Sequence, residues 1–220
     1  MKFGRTGIGL AAIALLLLSC TKEKSNETPD LNSGIYLPNT TGSTWHYADS
    51  TTQVGFTLKA TDRIDSINKI RFYYYENQPD DPSLDTTFTL IGRAGYNYYI
   101  SAFLPELGDG MLMILKQDAV PGEQWAQKIL VPGYDSVTLR FTMEEKGITY
   151  AAGGQTYHQV VHVGIGAVLS LDTGSGTGND LALPVGELYF AAGIGIVALH
   201  INLQGQAPAV HLILTDYDIR

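Results

Sequence analysis

Ser136-Val-Thr-Leu-Arg-Phe-Thr-Met-Glu-Glu145 is the stretch that decides the fold. Val137, Leu139, Phe141 and Met143 alternate with Thr138, Arg140 and Thr142. A period of two puts the apolar side chains on one face of a strand and the polar ones on the other. Strands with one buried and one wet face are the habit of antiparallel sheets, so the stretch predicts an antiparallel β-protein.

Working outward, almost every ordered-looking segment beyond Trp45 is of the same kind. Val, Ile, Thr and Tyr dominate, and Gly, Pro, Asn and Asp clusters separate the runs. The predicted strands are Thr44–Ala48, Val54–Thr61, Ile67–Tyr75, Thr86–Arg93, Tyr96–Leu104, Met111–Lys116, Gln124–Val131, Ser136–Glu145, Gln155–Leu171, Gly186–Leu203 and Ala209–Asp216. No stretch after the first 20 residues combines a 3.6-residue period with helix formers and caps. The expected fold is all-β, one domain over 41–220: a strongly curved antiparallel sheet or an incomplete barrel of about ten strands. Closure or curling is favoured because an open sheet of that size leaves hazardous edges.

The chain also repeats itself in outline. Gly42-Ser-Thr-Trp45 is echoed by Gly122-Glu-Gln-Trp125, and Phe56-Thr-Leu58 by Leu139-Arg-Phe-Thr142. Asn68 to Tyr73 then parallels Gly154 to Val160, and Gly95 to Tyr99 parallels Gly186 to Phe190. Two similar halves, 41–118 and 119–205, are the expectation; tryptophan-bearing hairpins in an unrepeated sheet are the other reading.

The N-terminus is of a different character. Lys2 and Arg5 precede an apolar run from Ile8 to Leu18, which ends in Leu17-Leu18-Ser19-Cys20. That run is too short for a transmembrane helix of roughly 20 apolar residues and has the layout of a secretory signal. The segment resembles a bacterial lipoprotein signal peptide, with Leu17 to Cys20 as its lipobox. The resemblance implies a signal peptide over 1–19, removed in the mature protein, and palmitate-type acylation at Cys20, with the membrane as partner through that lipid. Residues 20–40 read as a flexible tether, because Lys22, Glu23, Lys24, Ser25, Asn26, Glu27 and Asp30 bring little apolar area to offset their ordering. Thr21-Lys-Glu-Lys24 is similar to the export signals of surface-exposed lipoproteins in Bacteroidota.

Removing residues 1–19 takes away Lys2 and Arg5 and no acid, so 14 basic residues become 12 against 22 acidic ones, a formal charge of −10. Such a balance argues against nucleic acid as a partner, because that binding draws on Lys and Arg at phosphates. Cys20 is the only cysteine. Once acylated it leaves no thiol for a disulfide or for thiol catalysis, and the domain must rely on its core.

Gly42-x-x-Trp45, Gly122-x-x-Trp125, Gly153-Gly-Gln-Thr-Tyr-x-x-Val160 and Tyr189-Phe-Ala-x-Gly-Ile-Gly-Ile-Val197 carry a second resemblance, to an uncharacterised all-β lipoprotein family of the Bacteroidota. It covers Trp45 to about Leu203, implies an extracytoplasmic β-domain in the outer membrane's lipoprotein population, and brings no catalytic residue with it.

The motifs that could carry chemistry are few. His158 and His162 have the spacing of a helical zinc pair, but on a strand four residues span about 13 Å, too far for one ion at ~2 Å from each nitrogen. Asp172, Asn179 and Asp180 in the Gly-rich segment 172–180 are a weak calcium candidate, lacking the ligand rhythm of six to eight oxygens. Asp80, Asp81 and Asp85 read as a solvated turn. Gly164-Ile-Gly166 and Gly193-Ile-Gly195 lack dinucleotide spacing and read as bulges or close approaches. No metal site and no cofactor are expected, and no catalytic motif is found.

Tyr73-Tyr-Tyr75 and Tyr96-x-Tyr98-Tyr99 place rings on both faces of two strands. Tyr73, Tyr75, Tyr96 and Tyr98 are therefore candidates for a ligand surface, with cross-strand packing as the competing reading. The functional expectation is a non-enzymatic binding or structural module of the cell envelope, facing periplasm or cell surface, with an envelope protein or glycan as partner. A carbohydrate- or lipid-binding accessory of an uptake system is the alternative, and an extracytoplasmic hydrolase the third.

Overall fold

Twelve strands appear in the computed structural model, which describes residues 35–101, 111–131, 134–171, 179–202 and 209–220. They are β1 (Thr44–Asp49), β2 (Gly55–Ile67), β3 (Ile70–Pro79), β4 (Thr87–Ala94), β5 (Asn97–Ser101), β6 (Met111–Lys116), β7 (Gln124–Val131), β8 (Tyr134–Ala152), β9 (Gln155–Leu171), β10 (Asn179–Ala191), β11 (Gly195–Ile201) and β12 (Val210–Asp218). All lie in one sheet of order β6-β5-β4-β3-β2-β1-β12-β11-β10-β9-β8-β7, and every pairing is antiparallel. The result is a nearly closed barrel. The count exceeds the expected ten mainly because Gly186–Leu203 is two strands joined by a turn at 192–194. Ile194 N there donates to Ala191 O and Gly193 has φ 74°. Ala, Gly and Ile build that turn without the polar residues that usually mark one.

The alternating stretch behaves as read. Val137, Phe141 and Met143 are buried and Arg140 is exposed. Phe141 and Met143 join Tyr98, Leu115, Val161, Val163, Leu188 and Phe190 in one core cluster, so β5 and β6 pack against β8, β9 and β10. A second cluster gathers Trp45, Tyr47, Ala60, Tyr75, Ile91, Val197 and Leu214. Burying each Val, Leu, Ile, Phe or Met side chain among them is worth about 1.5–3 kcal/mol.

The two edge strands, β6 and β7, are sealed by side chains instead of a ladder. Trp125 Nε1 donates to Met113 O at 2.8 Å, and Met113 N donates to Gln127 Oε1 at 3.1 Å. Trp125 also stacks on Phe141, and Lys116 pairs with Glu123 across the turn. A sheet edge thereby loses the open groups that invite another chain.

A second gap lies between β11 and β12, whose ladder begins only at Ala198–Ile213. The carbonyls beyond it are taken by side chains: Tyr47 OH donates to Ile196 O at 2.9 Å and Trp45 Nε1 to Ile194 O at 2.6 Å. From β9, Tyr157 OH donates to Leu214 O at 3.2 Å and Gln155 Nε2 to Thr215 O at 3.1 Å. These last two come from the β8–β9 hairpin tip. Three register shifts in β8 between Met143 and Tyr150, with Gly147 at φ 72° and Gln159 at φ 56°, bend that tip toward β12, as bulges do.

Residues 35–39, which composition assigned to the tether, belong to the domain. Tyr36 and Pro38 are buried. Tyr36 N donates to Tyr98 OH at 3.0 Å, Tyr75 OH donates to Pro38 O at 2.9 Å, and Gly193 N donates to Ile35 O at 2.7 Å. The segment plugs one end of the barrel. Strand alternation puts the turns at 68–69, 95–96, 153–154 and 192–194 at that same end.

The strand order divides into β1–β6 and β7–β12, each half following the same neighbour sequence. The two begin alike. Gly42 has φ 86° and Gly122 φ 87°. Gly42 N donates to Ala60 O and Ala60 N to Ser43 O; likewise Gly122 N donates to Met143 O and Met143 N to Glu123 O. Trp45 then faces Leu58 and Trp125 faces Phe141. Counting six strands on, β5 corresponds to β11, so Gly186–Phe190 on β10 is not the counterpart of Gly95–Tyr99.

Candidate functional site

An open cleft of about 800 Å³ lies at the plugged end of the barrel. Asn-Lys at 68–69, with φ 51° and 67°, closes the β2–β3 hairpin in the left-handed conformation that two-residue turns require. Gly95, φ 60°, does the same between β4 and β5. These turns carry Lys69 and frame Arg71, Tyr73 and Arg93, with Asn39 of the plug on the remaining side. Arg71 and Arg93 are direct partners in the β3–β4 ladder.

Charge in the cleft is net positive, with Lys69, Arg71 and Arg93 against Asp65. Arg93 Nε donates to Gly95 O at 2.9 Å and its guanidinium lies 5.2 Å from the Tyr98 ring centroid. The carboxylate that lines the cleft, Asp65, is engaged elsewhere. Its Oδ1 accepts from Ser66 N at 2.7 Å and its Oδ2 accepts from Tyr74 OH at 3.4 Å, within a web that includes Arg63 over the Tyr74 ring. Sequence reasoning missed Lys69, Arg71 and Arg93. The hairpin turn at 68–69 was a visible signal, but the register that sets Arg71 against Arg93 was not.

The tyrosine candidates separate. Tyr75 and Tyr98 are core residues, 2% and 1% exposed, so they offer no ligand surface. Burial raises the pKa of both hydroxyls. They point inward because the sheet curls around the plug, whose backbone N–H and carbonyl they satisfy. Tyr96 is 60% exposed on the β4–β5 turn, and Tyr73 lines the cleft.

Elsewhere, His162 is stacked on Tyr189, which stacks on Tyr150. Its ring nitrogens lie 3.5 Å from Glu145 and 3.8 Å from Glu187. Tyr189 OH donates to Glu187 at 2.9 Å. His200 follows, its pKa lowered by burial and then by His211. His158 instead meets Thr149, so His158 and His162 hold nothing in common. Among the described residues no group of three His, Cys, Asp or Glu is arranged to hold a metal ion. Cys20 and Asp172 lie outside the described residues, and Asn179 and Asp180 open β10 opposite Leu171 and Ser170.

Among the described residues there is a hydroxyl–imidazole–carboxylate row. Thr215 Oγ1 lies 2.7 Å from His46 Nδ1, and His46 Nε2 lies 3.1 Å from Asp80 Oδ2. Gly55 makes room for it, since a Cβ there would meet Asp80 Oδ2 at 2.5 Å. The order is that of a catalytic triad, but Thr215 donates its proton to His46 O at 3.0 Å. The row ties β1, β12 and the segment after β3 together. Asp81 closes the acidic segment on itself by accepting from Ser83 N and Oγ, which lowers its pKa.

A plugged, nearly closed antiparallel barrel with a basic cleft at its mouth defines the class. Among solved structures, the chain is similar to a presumed lipoprotein of Parabacteroides distasonis ATCC 8503, at 10% identity over 83% of this chain and 98% of that one, with a TM-score of 0.50. It is also similar to a presumed exported protein with a YmcC-like fold from Bacteroides fragilis NCTC 9343, at 10% identity with the same coverage and a TM-score of 0.48. The first likeness shows the fold. No family model matches the chain, and no curated protein matches it.

Proposed function

We propose that this protein is a lipid-anchored module of the cell envelope that binds a ligand, without catalysis, in the cleft at its tethered end. The observation that carries the reading is a packed interior with an open basic cleft at the barrel mouth. Two side-chain clusters and the plug of residues 35–39 pack the described interior, and an open cleft lies at the mouth. Small-molecule sites favour such concavities. A lipid carrier would need an internal apolar cavity, so the uptake-accessory alternative is retained only for a ligand met at the mouth. The lipobox-like Leu17 to Cys20 and the lipoprotein description of the Parabacteroides protein support the anchor and an envelope location. The matched starts of β1 and β7 support reading the domain as two duplicated halves.

Cys20→Ser tests the anchor. Wild type is expected to take up labelled palmitate and sediment with membranes, and the variant to lose both; persistent labelling of the variant overturns the anchor. Amide-shift mapping with a panel of envelope sugars and lipid headgroups tests the site. Shifts clustered on residues 64–73 and 93–95 support it, and shifts confined to the opposite end or to the outer face of β10–β12 refute it.

A further inference from the structure

We propose that the cleft is an anion site that takes a phosphomonoester group. The inference rests on the cleft being the ligand site and adds the class of ligand. Of the 14 basic residues in a chain of net charge −8, three converge here: Lys69 from the β2–β3 turn, Arg71 from β3 and Arg93 from β4. Arg71 and Arg93 are direct cross-strand partners, an arrangement that costs stability when like charges face one another. The side chains of Lys69 and Arg71 make no hydrogen bond or ion pair with any described residue, and the Asp65 carboxylate on the same cleft is held by Ser66 N and Tyr74 OH. Three cations against one carboxylate leave the cleft net positive. On an acidic surface such a spot concentrates field lines and draws anions to it.

The number and type of the groups select phosphate over carboxylate. Two guanidinium forks and one ammonium match a dianion with three terminal oxygens, whereas a single fork satisfies a carboxylate. Tyr73 and Asn39 on the rim supply a ring and an amide for whatever carries the phosphate. The cleft shares the end of the barrel at which residue 35 enters. From Cys20 to Ile35 the chain spans at most about 50 Å, so both a lipid headgroup and a phosphorylated sugar of the envelope lie within reach. The shared chemistry is the phosphomonoester.

The test titrates the full-length protein in non-ionic detergent with inorganic phosphate, glucose 1-phosphate, dihexanoyl phosphatidate and uncharged glucose, read by amide shifts and calorimetry. Binding of the phosphates at about 1 mM or tighter, with shifts on residues 69–73 and 93–95, is expected. Arg71→Ala, which breaks no hydrogen bond or ion pair between described side chains, is expected to weaken binding at least tenfold, and Arg71→Lys to weaken it less. A preference for phosphatidate assigns the headgroup as source, and a preference for glucose 1-phosphate assigns a sugar phosphate. Phosphates that leave the cleft amides unmoved while uncharged glucose shifts them overturn the anion inference and leave the binding site standing. An Arg71→Ala variant that binds phosphate as wild type does also overturns the inference. If neither kind of probe moves those amides, inference and site fall together.

Discussion

The tip of the β8–β9 hairpin offers a matched pair of substitutions. Gly153 and Gly154 form its turn, with φ 59° and 76°. An alanine at either position holds a left-handed conformation that costs about 1–2 kcal/mol, offset in part by a stiffer unfolded chain at about 0.4–1 kcal/mol. Around Gly154 nothing lies within 4 Å of an added Cβ, so Gly154→Ala is expected to cost only that difference, about 1 kcal/mol. At Gly153 the added Cβ would run into Leu214 O, with Leu214 C at 3.3 Å. Backbone on β12 cannot yield, so the tip must lift. Lifting breaks the bonds from Tyr157 OH to Leu214 O and from Gln155 Nε2 to Thr215 O, each worth about 0.5–1.5 kcal/mol. It also uncovers Tyr157, now 2% exposed, at a cost of about 1.5–3 kcal/mol if complete. Gly153→Ala should therefore cost about 3.5–7 kcal/mol if the tip lifts fully, two or more beyond its neighbour. Urea unfolding followed by tryptophan fluorescence measures both variants. Costs that agree within about 0.5 kcal/mol would refute the claim that the tip is pressed against β12.

Two further outcomes follow from the core and from the β1–β2 loop. Tyr75→Phe and Tyr98→Phe leave Pro38 O and Tyr36 N without their partners and should each cost about 1–3 kcal/mol in urea unfolding. Tyr96→Phe should stay within about 0.5 kcal/mol, and equal losses at all three would contradict the plug. Asp49 accepts from Thr51 N, Thr52 N, Thr52 Oγ1 and His211 N. Those bonds, that from His211 first, lower its pKa to about 2 from 3.8. A depressed carboxylate contributes stability that is full above its unfolded value and lost as pH falls through the folded one. The difference in melting temperature between wild type and Asp49→Asn should therefore shrink from about pH 4 down to about pH 2; a difference that holds constant across that window would exclude the linkage.

Much of the architecture is legible in residues close together in the chain. The alternation from Val137 to Met143, the Gly-Gly at 153–154 and the Asn-Lys at 68–69 specify strands and hairpins through local sterics and a period of two. β7 and β9 run over the same residues that pattern and punctuation assign to them. The Ala-Gly-Ile turn at 192–194 escaped because it is made of apolar residues and depends on Gly193 adopting positive φ. Ile35 to Pro38 escaped because a short apolar run in a polar tether has no partner until a barrel end exists to receive it.

Sequence alone therefore determined that this is an antiparallel β-domain, and it supplied the lipobox-like Leu17 to Cys20 on which the anchor is proposed. Tertiary structure decided which face of each strand is inside. Tyr75 and Tyr98 are core, where their hydroxyls meet the plug, while Tyr96, two residues from Tyr98, is exposed because it sits on the turn before β5. It also made the cleft. Arg71 and Arg93 become neighbours only through the β3–β4 register, and register is a property of paired strands that neither strand carries alone.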